Sequence, residues 1–210
     1  MSKRVMVFMD HQNVYNGARR TFEFATAIHT AGQVNPLKVG QAIAANGTDR
    51  ELVGVRIYAG MPDSRKQPQG HKARSRQVKA WAALPKVTPN WRPLQYPRDF
   101  GKDPKAIPKE KGIDVQLAID FVMFALAGDF DIGVIFSADT DLRPPLAAVE
   151  QIKGLDAIEV AAWQPDKGYA NRLTLEGSGK SASGKARPAC TFLGSAAYKD
   201  ARDVTDYNVP

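Results

Sequence analysis

Two carboxylates stand one residue apart in Ser137-Ala-Asp139-Thr-Asp141, directly after the apolar, β-branched run Ile132 to Phe136. Such a run reads as a strand buried on both faces. Ligands of open parallel sheets bind outside the carboxyl ends of the strands. Asp139 and Asp141 are therefore expected at the mouth of a site. If the segment is extended, alternate residues point the same way, and the two could aim at one ion. A third acid, Asp10, ends the short apolar run Val5 to Met9, with Asn13 three residues on. A fourth, Asp114, stands near the start of a long helical segment. The acids also have plainer roles: Asp10, and one of Asp139 and Asp141, as helix caps, and Asp114 as a carboxylate favoured at a helix N-terminus. Together, four crowded carboxylates repel one another. The cluster becomes sensible when hard divalent cations fill it, and oxygen-only ligands suit Mg²⁺ or Mn²⁺. Two such ions can activate a water and stabilise the leaving oxygen of a phosphodiester.

The elements that must position these acids alternate between strand and helix. The reading along the chain is a strand at 5–9, a helix at about 14–27 and a helix at 36–45, the last capped by Asn35 and opened by Pro36. A strand follows at 52–59, a helix at 71–83, and an edge strand at 87–95 interrupted by Pro89 and Pro93. The segment 98–110 reads as a Lys- and Pro-rich mobile loop. A helix then runs to Gly128, apolar on most sides beyond its first turn and so expected to be largely buried. Inside it, Asp120 needs a partner: it anchors a neighbouring loop or approaches the site from the side. After the central strand come a helix opened by Pro144 and Pro145, a strand at 157–162, a last strand at 189–193 and a last helix at 196–203. The Gly/Ser/Lys stretch 176–185 reads as a flexible loop. Its Gly177-Ser-Gly-Lys-Ser181 lacks the spacing of a phosphate loop. The alternation defines an α/β fold with a central, mainly parallel sheet.

The chain of 210 residues is read as a single domain, with a basic insert around 62–111 and a C-terminal extension from about 166. No apolar run reaches the roughly 20 residues that span a bilayer, and the N-terminal apolar run is too short for a signal peptide. One cysteine and three histidines exclude a disulfide or zinc-finger framework, and a reducing cytoplasm is the simplest compartment. The net charge of +7 is unevenly spread. Residues 62–111 hold 13 Lys or Arg against four acids, a net of +9, which leaves −2 for the rest. That asymmetry points to a polyanion, nucleic acid first. Trp81, Trp91 and Tyr96 are interspersed with Arg74, Arg76, Arg92 and Arg98, a mixture suited to stacking and phosphate contact with a single strand. Trp81, among Ala and Leu neighbours, reads as core, and His11 as a surface loop residue.

Three stretches resemble the NYN domain family, the group of PIN-like nucleases that includes the LabA-like proteins. They are Val7-Phe-Met-Asp10-His-Gln-Asn13, Lys111-Gly-Ile-Asp114-Val-Gln-Leu-Ala-Ile-Asp120, and Asp131-Ile-Gly-Val-Ile-Phe-Ser137-Ala-Asp139-Thr-Asp141-Leu-Arg-Pro-Pro-Leu146. The likeness covers about 1–165, and more weakly the ending Tyr198 to Tyr207. It departs at Ala138, where glycine is usual, and at Leu142, where phenylalanine is usual; neither removes a ligand. The resemblance implies a three-layer α/β/α sandwich and a metal-dependent ribonuclease. Its acidic positions carry over to Asp10, Asp114, Asp139 and Asp141 as metal ligands, and its polar position in the first motif to Asn13.

The expectation is therefore an endoribonuclease dependent on Mg²⁺ or Mn²⁺, acting on RNA, single-stranded in preference to duplex. Arg74, Arg76, Lys79, Lys109 and Lys111 hold the backbone, and Asp120, Ser137 and Thr140 form a second tier. The rival of another class is an RNA-binding or regulatory module of the same fold without useful turnover. A phosphatase of the haloacid-dehalogenase type needs a second aspartate two residues after the first, and position 12 is Gln. A homodimer or a protein partner stays open.

Overall fold

The computed structural model describes residues 2–23, 28–175 and 188–209. Six parallel strands form one sheet in the order β3-β2-β1-β4-β5-β6, where β1 is Lys3–Asp10, β2 Arg50–Met61, β3 Val87–Pro93, β4 Ile132–Phe136, β5 Ile158–Trp163 and β6 Ala189–Leu193. The helices are α1 (His11–Phe22), α2 (Pro36–Ala44), α3 (Pro68–Ala82), α4 (Ile113–Ala127), α5 (Arg143–Lys153) and α6 (Ser195–Ala201). The chain runs from β1 outward to β3, then returns to lay β4 on the other side of β1. The switch point therefore falls between β1 and β4, where a crevice opens at the strand ends.

Strand parity sorts the core into two halves. Val5, Val7 and Met9 of β1, with Val134 and Phe136 of β4, pack against α1, α2, α3 and α6. Met6 and Phe8, with Ile135, pack against α4 and α5. The result is helix, sheet, helix. Because side chains alternate along a strand, Asp10 follows Phe8 and Ser137 follows Ile135 onto the α4 face. The same parity puts Tyr58 and Gly60 of β2 on that face. On α4, Asp114, Leu117, Phe121 and Ala125 recur at helical spacing, and the last three are buried. Asp114 is thus the N-terminal member of the stripe that α4 lays on the sheet.

Several boundaries differ from those read in the sequence. Helix α1 starts at His11, because Asp10 itself caps it, and its described part ends at Phe22. The further residues 24–27 lie outside the described residues, as does the loop read at 176–185. The 98–110 segment is tied down by an antiparallel bridge between Gln95 and Lys109. The expectation that α4 is largely buried holds for only one side. Val115, Ile119, Met123 and Leu126 form an outward stripe, each 57–60% exposed. No described helix is long and apolar enough to cross a membrane.

Candidate metal centre and nucleic-acid face

Asp10, Asp114 and Asp139 come from three separate elements, the end of β1, the first turn of α4 and the turn after β4. One carboxylate oxygen from each lies within 4.8 Å of the others. Asp10 is only 6% exposed. Its Oδ1 accepts the backbone N–H of Asn13 at 3.1 Å and its Oδ2 accepts the Ser137 hydroxyl at 2.9 Å. The Ser137 oxygen in turn accepts the Asp139 backbone N–H at 3.1 Å. Asn13 closes the frame: its side-chain oxygen accepts the Ala138 backbone N–H at 3.0 Å. β1 and β4 are thus stitched together at the switch point, with Asp10 at the centre.

The electrostatics are those of like charges held together. Burial, the larger cause, and the neighbouring Asp114 and Glu110 carboxylates push the Asp10 carboxyl up to about 6; the Asn13 and Ser137 hydrogen bonds oppose this. Burial, then Asp139 and Asp141, also raise Asp114. Among the described residues, no hydrogen bond joins two of the three carboxylates.

Asp141 is not in this group. A 3₁₀ turn covers Thr140–Leu142, and Asp139 Oδ1 caps it by accepting the Asp141 N–H at 3.0 Å. The segment is coiled, so the alternation expected of an extended strand does not apply. Asp141 is exposed on the turn and acts on Asp114 through space. Thr140 is exposed beside it. The capping role and the cluster role of Asp10 and Asp139 coexist in the same side chains.

Asp120 belongs elsewhere. Its Oδ2 accepts from Arg56 at 3.1 Å and from the Tyr58 hydroxyl at 2.7 Å, so it pins α4 to β2 and neither anchors a loop nor approaches the acids. Burial, the larger cause, and the bond to Asp120 push the Tyr58 phenol well up.

The acids open into a cleft of about 420 Å³, lined also by Asn13, Arg74, Lys109 and Glu110. Glu110 was read only as one acid of a loop. It accepts the Gly60 backbone N–H at 2.7 Å, and burial, the larger cause, with Asp114 raises its carboxyl. A side chain at position 60 would displace it, since a Cβ there would lie 2.7 Å from Glu110 Oε1. The signal available was an acid four positions before Asp114.

The basic residues divide. Lys79, Lys109 and Lys111 are exposed. Arg76 donates to the backbone carbonyls of Tyr207 and Asn208 at 2.9 and 3.3 Å, which ties down the C-terminal segment. Arg74 is half-buried between the cleft and α1. It donates to Gln77 Oε1 at 2.6 Å and lies 3.2 Å from Nδ1 of His11. His11 is accordingly no surface loop residue. It opens α1, and its ring packs on Trp81 with centroids 5.1 Å apart. Burial, then the Arg74 charge, hold its imidazole well below the usual range. Trp81 is core, and Trp91 on the edge strand is half exposed.

An open parallel sheet with acids converging at its switch point is the arrangement of a PIN-like nuclease fold. The chain belongs to the NYN domain family, whose model matches residues 4–173. No curated protein matches the sequence significantly. A similar solved structure is that of a protein of unknown function from Vibrio parahaemolyticus. It is 19% identical over 76% of this chain and 81% of that one, with a TM-score of 0.47.

Proposed function

We propose that this protein is a ribonuclease that hydrolyses phosphodiesters of single-stranded RNA and holds Mg²⁺ or Mn²⁺ on Asp10, Asp114 and Asp139. The observation that carries the reading is the convergence of these three carboxylates within 4.8 Å at the switch point of the sheet. The donor set fits a hard divalent cation: oxygen alone and net negative. Such a cation, when bound, lowers the pKa of a water and neutralises charge developing on phosphate oxygens.

The chain's own residues supply position and access. Ser137 and Asn13 fix Asp10, and Asp139 is fixed by the turn that it caps. Asp141 adds negative charge at the rim. Arg74 faces the cleft, where its guanidinium can hold a phosphate oxygen. Lys109 and Lys111 receive the backbone beside the acids, Lys79 extends the basic face along α3, and Trp91 offers a stacking surface. Arg76 serves this face indirectly through the C-terminal segment. A cytoplasmic site of action is part of the same reading.

The test is incubation of labelled single-stranded RNA and DNA with Mn²⁺, Mg²⁺ or chelator. RNA cleavage is expected with metal alone. Asp139→Asn should lose at least 100-fold in rate, as removal of a group acting at the reacting centre does, while still binding RNA. Binding without cleavage by the wild-type protein under every metal would favour a regulatory module instead.

A further inference from the structure

Arg74 lines two cavities, not one. Beyond the acid cleft, on the other side of its guanidinium, lies a pocket of about 290 Å³ between α1, α3 and the C-terminal segment. Pro62 is also common to both, so the cavities share a wall. The pocket is walled by the Tyr15 ring, the Gln33 and Gln77 amides, Gly70, and Asn208.

Three features mark this pocket as built. The Tyr15 and His11 rings lie nearly parallel, 17° apart, giving an aromatic flank. Gln33 is held by the carbonyls of Thr205 and Asp203, and its Oε1 lies 3.5 Å from Gln77 Nε2, at the limit of a hydrogen bond. Only Nη1 of the half-buried Arg74 guanidinium has hydrogen-bond partners among the described residues. No carboxylate there pairs with it; Glu110 acts on it only through space. Arg74 is half-buried, no described carboxylate neutralises it, and its remaining guanidinium nitrogens are open to the cavities, so an anion entering there meets a cation with donors to spare. A phosphate oxygen is such an anion, and guanidinium its preferred partner.

We infer that this pocket is a nucleotide subsite: it takes one unstacked RNA base adjacent to the phosphate held by Arg74, next to the acid cleft. The inference rests on the ribonuclease reading for its substrate class. The volume suits one base and excludes paired ones, which cannot leave the stack without cost. Amides and an aromatic face are the groups that read the edge and the plane of an unpaired base. At position 70, in the first turn of α3, a Cβ would meet Pro62 and Gln67 at no less than 3.6 Å, and anything larger would extend along this wall of the pocket. Glycine keeps the pocket open.

The experiment uses short single-stranded RNA carrying one photoreactive uridine, bound in chelator so that cleavage plays no part. Crosslinks to peptides containing Tyr15 or residues 70–77 are expected in the wild-type protein. Gly70→Phe should fill the pocket, abolish those crosslinks and weaken binding roughly 5- to 100-fold, the scale of one lost stacked base. Its melting-temperature response to Mn²⁺ should match wild type, which separates this site from the acids. Crosslinks confined to other surfaces, or failure of wild type to bind, would overturn the inference. So would wild-type affinity in a folded Gly70→Phe protein. Should that variant not fold, the wild-type crosslink map decides alone. Loss of the ribonuclease reading would appear separately, as no cleavage and no Mn²⁺ response.

Discussion

Asp10 shows how one side chain serves fold and site together. As N-cap of α1 it satisfies a backbone donor. As a buried carboxyl beside two others it strains the fold. Its pKa in the folded protein is about 6, against 3.8 for the free group. The folded state therefore binds more protons than the unfolded state between those values, and stability falls as pH rises from about 4 to 6. At about 1.36 kcal/mol per unit, the cost above pH 6 is on the order of 3 kcal/mol before relaxation. Asn keeps the cap and the shape. In chelator at pH 7.5, Asp10→Asn should be 1–3 kcal/mol more stable than wild type, roughly by that penalty, and should lose the Asp10 share of the pH dependence between 4 and 6, leaving the smaller part that Asp114 and Glu110 contribute. Urea melts across that range check this. Asp10 and Asp139 were legible because an acid ending a buried run has few other places to go. Glu110 was not, because its partner is a backbone N–H 50 residues away, and no spacing rule reports that.

Helix α4 carries the next lesson. Its composition is apolar on nearly every side, and that pattern alone reads as burial. The sheet, however, covers only the stripe of Leu117, Phe121 and Ala125. Phe121 packs edge-on against Phe8 at 5.0 Å, over a glycine, Gly133, where a Cβ would approach its ring to 2.6 Å. Ile119, two positions away, is 57% exposed. Phe121→Ala should cost about 3–5 kcal/mol, whereas Ile119→Lys should change stability by less than about 0.5 kcal/mol. Chemical denaturation of both variants checks the contrast, and comparable losses would mean that the outer stripe is covered. The same limit explains Asp141. Sequence alternation assumes an extended backbone, and Pro144 and Pro145 instead follow a 3₁₀ turn that rotates the second acid outward.

At the scale of the molecule, the order β3-β2-β1-β4-β5-β6 makes one end of the sheet the place where chemistry can gather. The strand–helix alternation carried the parallel sheet and its flanking helices but not this strand order, which places the ends of β1 and β4 side by side. The basic window showed where positive charge concentrates but not which residues the proposed RNA contact would use: of its arginines, Arg76 holds the C-terminal segment and Arg74 is half-buried between two cavities. Under the proposed function, the exposed lysines beside the cleft are the salt-sensitive contacts. Lys109→Ala with Lys111→Ala should flatten the slope of log affinity against log salt by roughly 1.4, two phosphates at about 0.7 each on a single strand. Fluorescence anisotropy over a salt series reads that slope. The claim on which everything else depends is that Asp10, Asp114 and Asp139 form one cation site. Thermal melts in chelator and in saturating Mn²⁺ test it most directly. A cation that binds only the folded state at about 100 times its Kd adds about 2.7 kcal/mol, or about 5–10 °C for a chain of this size. Wild type should show that rise, and Asp139→Asn, which keeps the cap but removes a charge and a ligand, should show little of it. A full Mn²⁺ shift in Asp139→Asn, or none in wild type, would contradict the account.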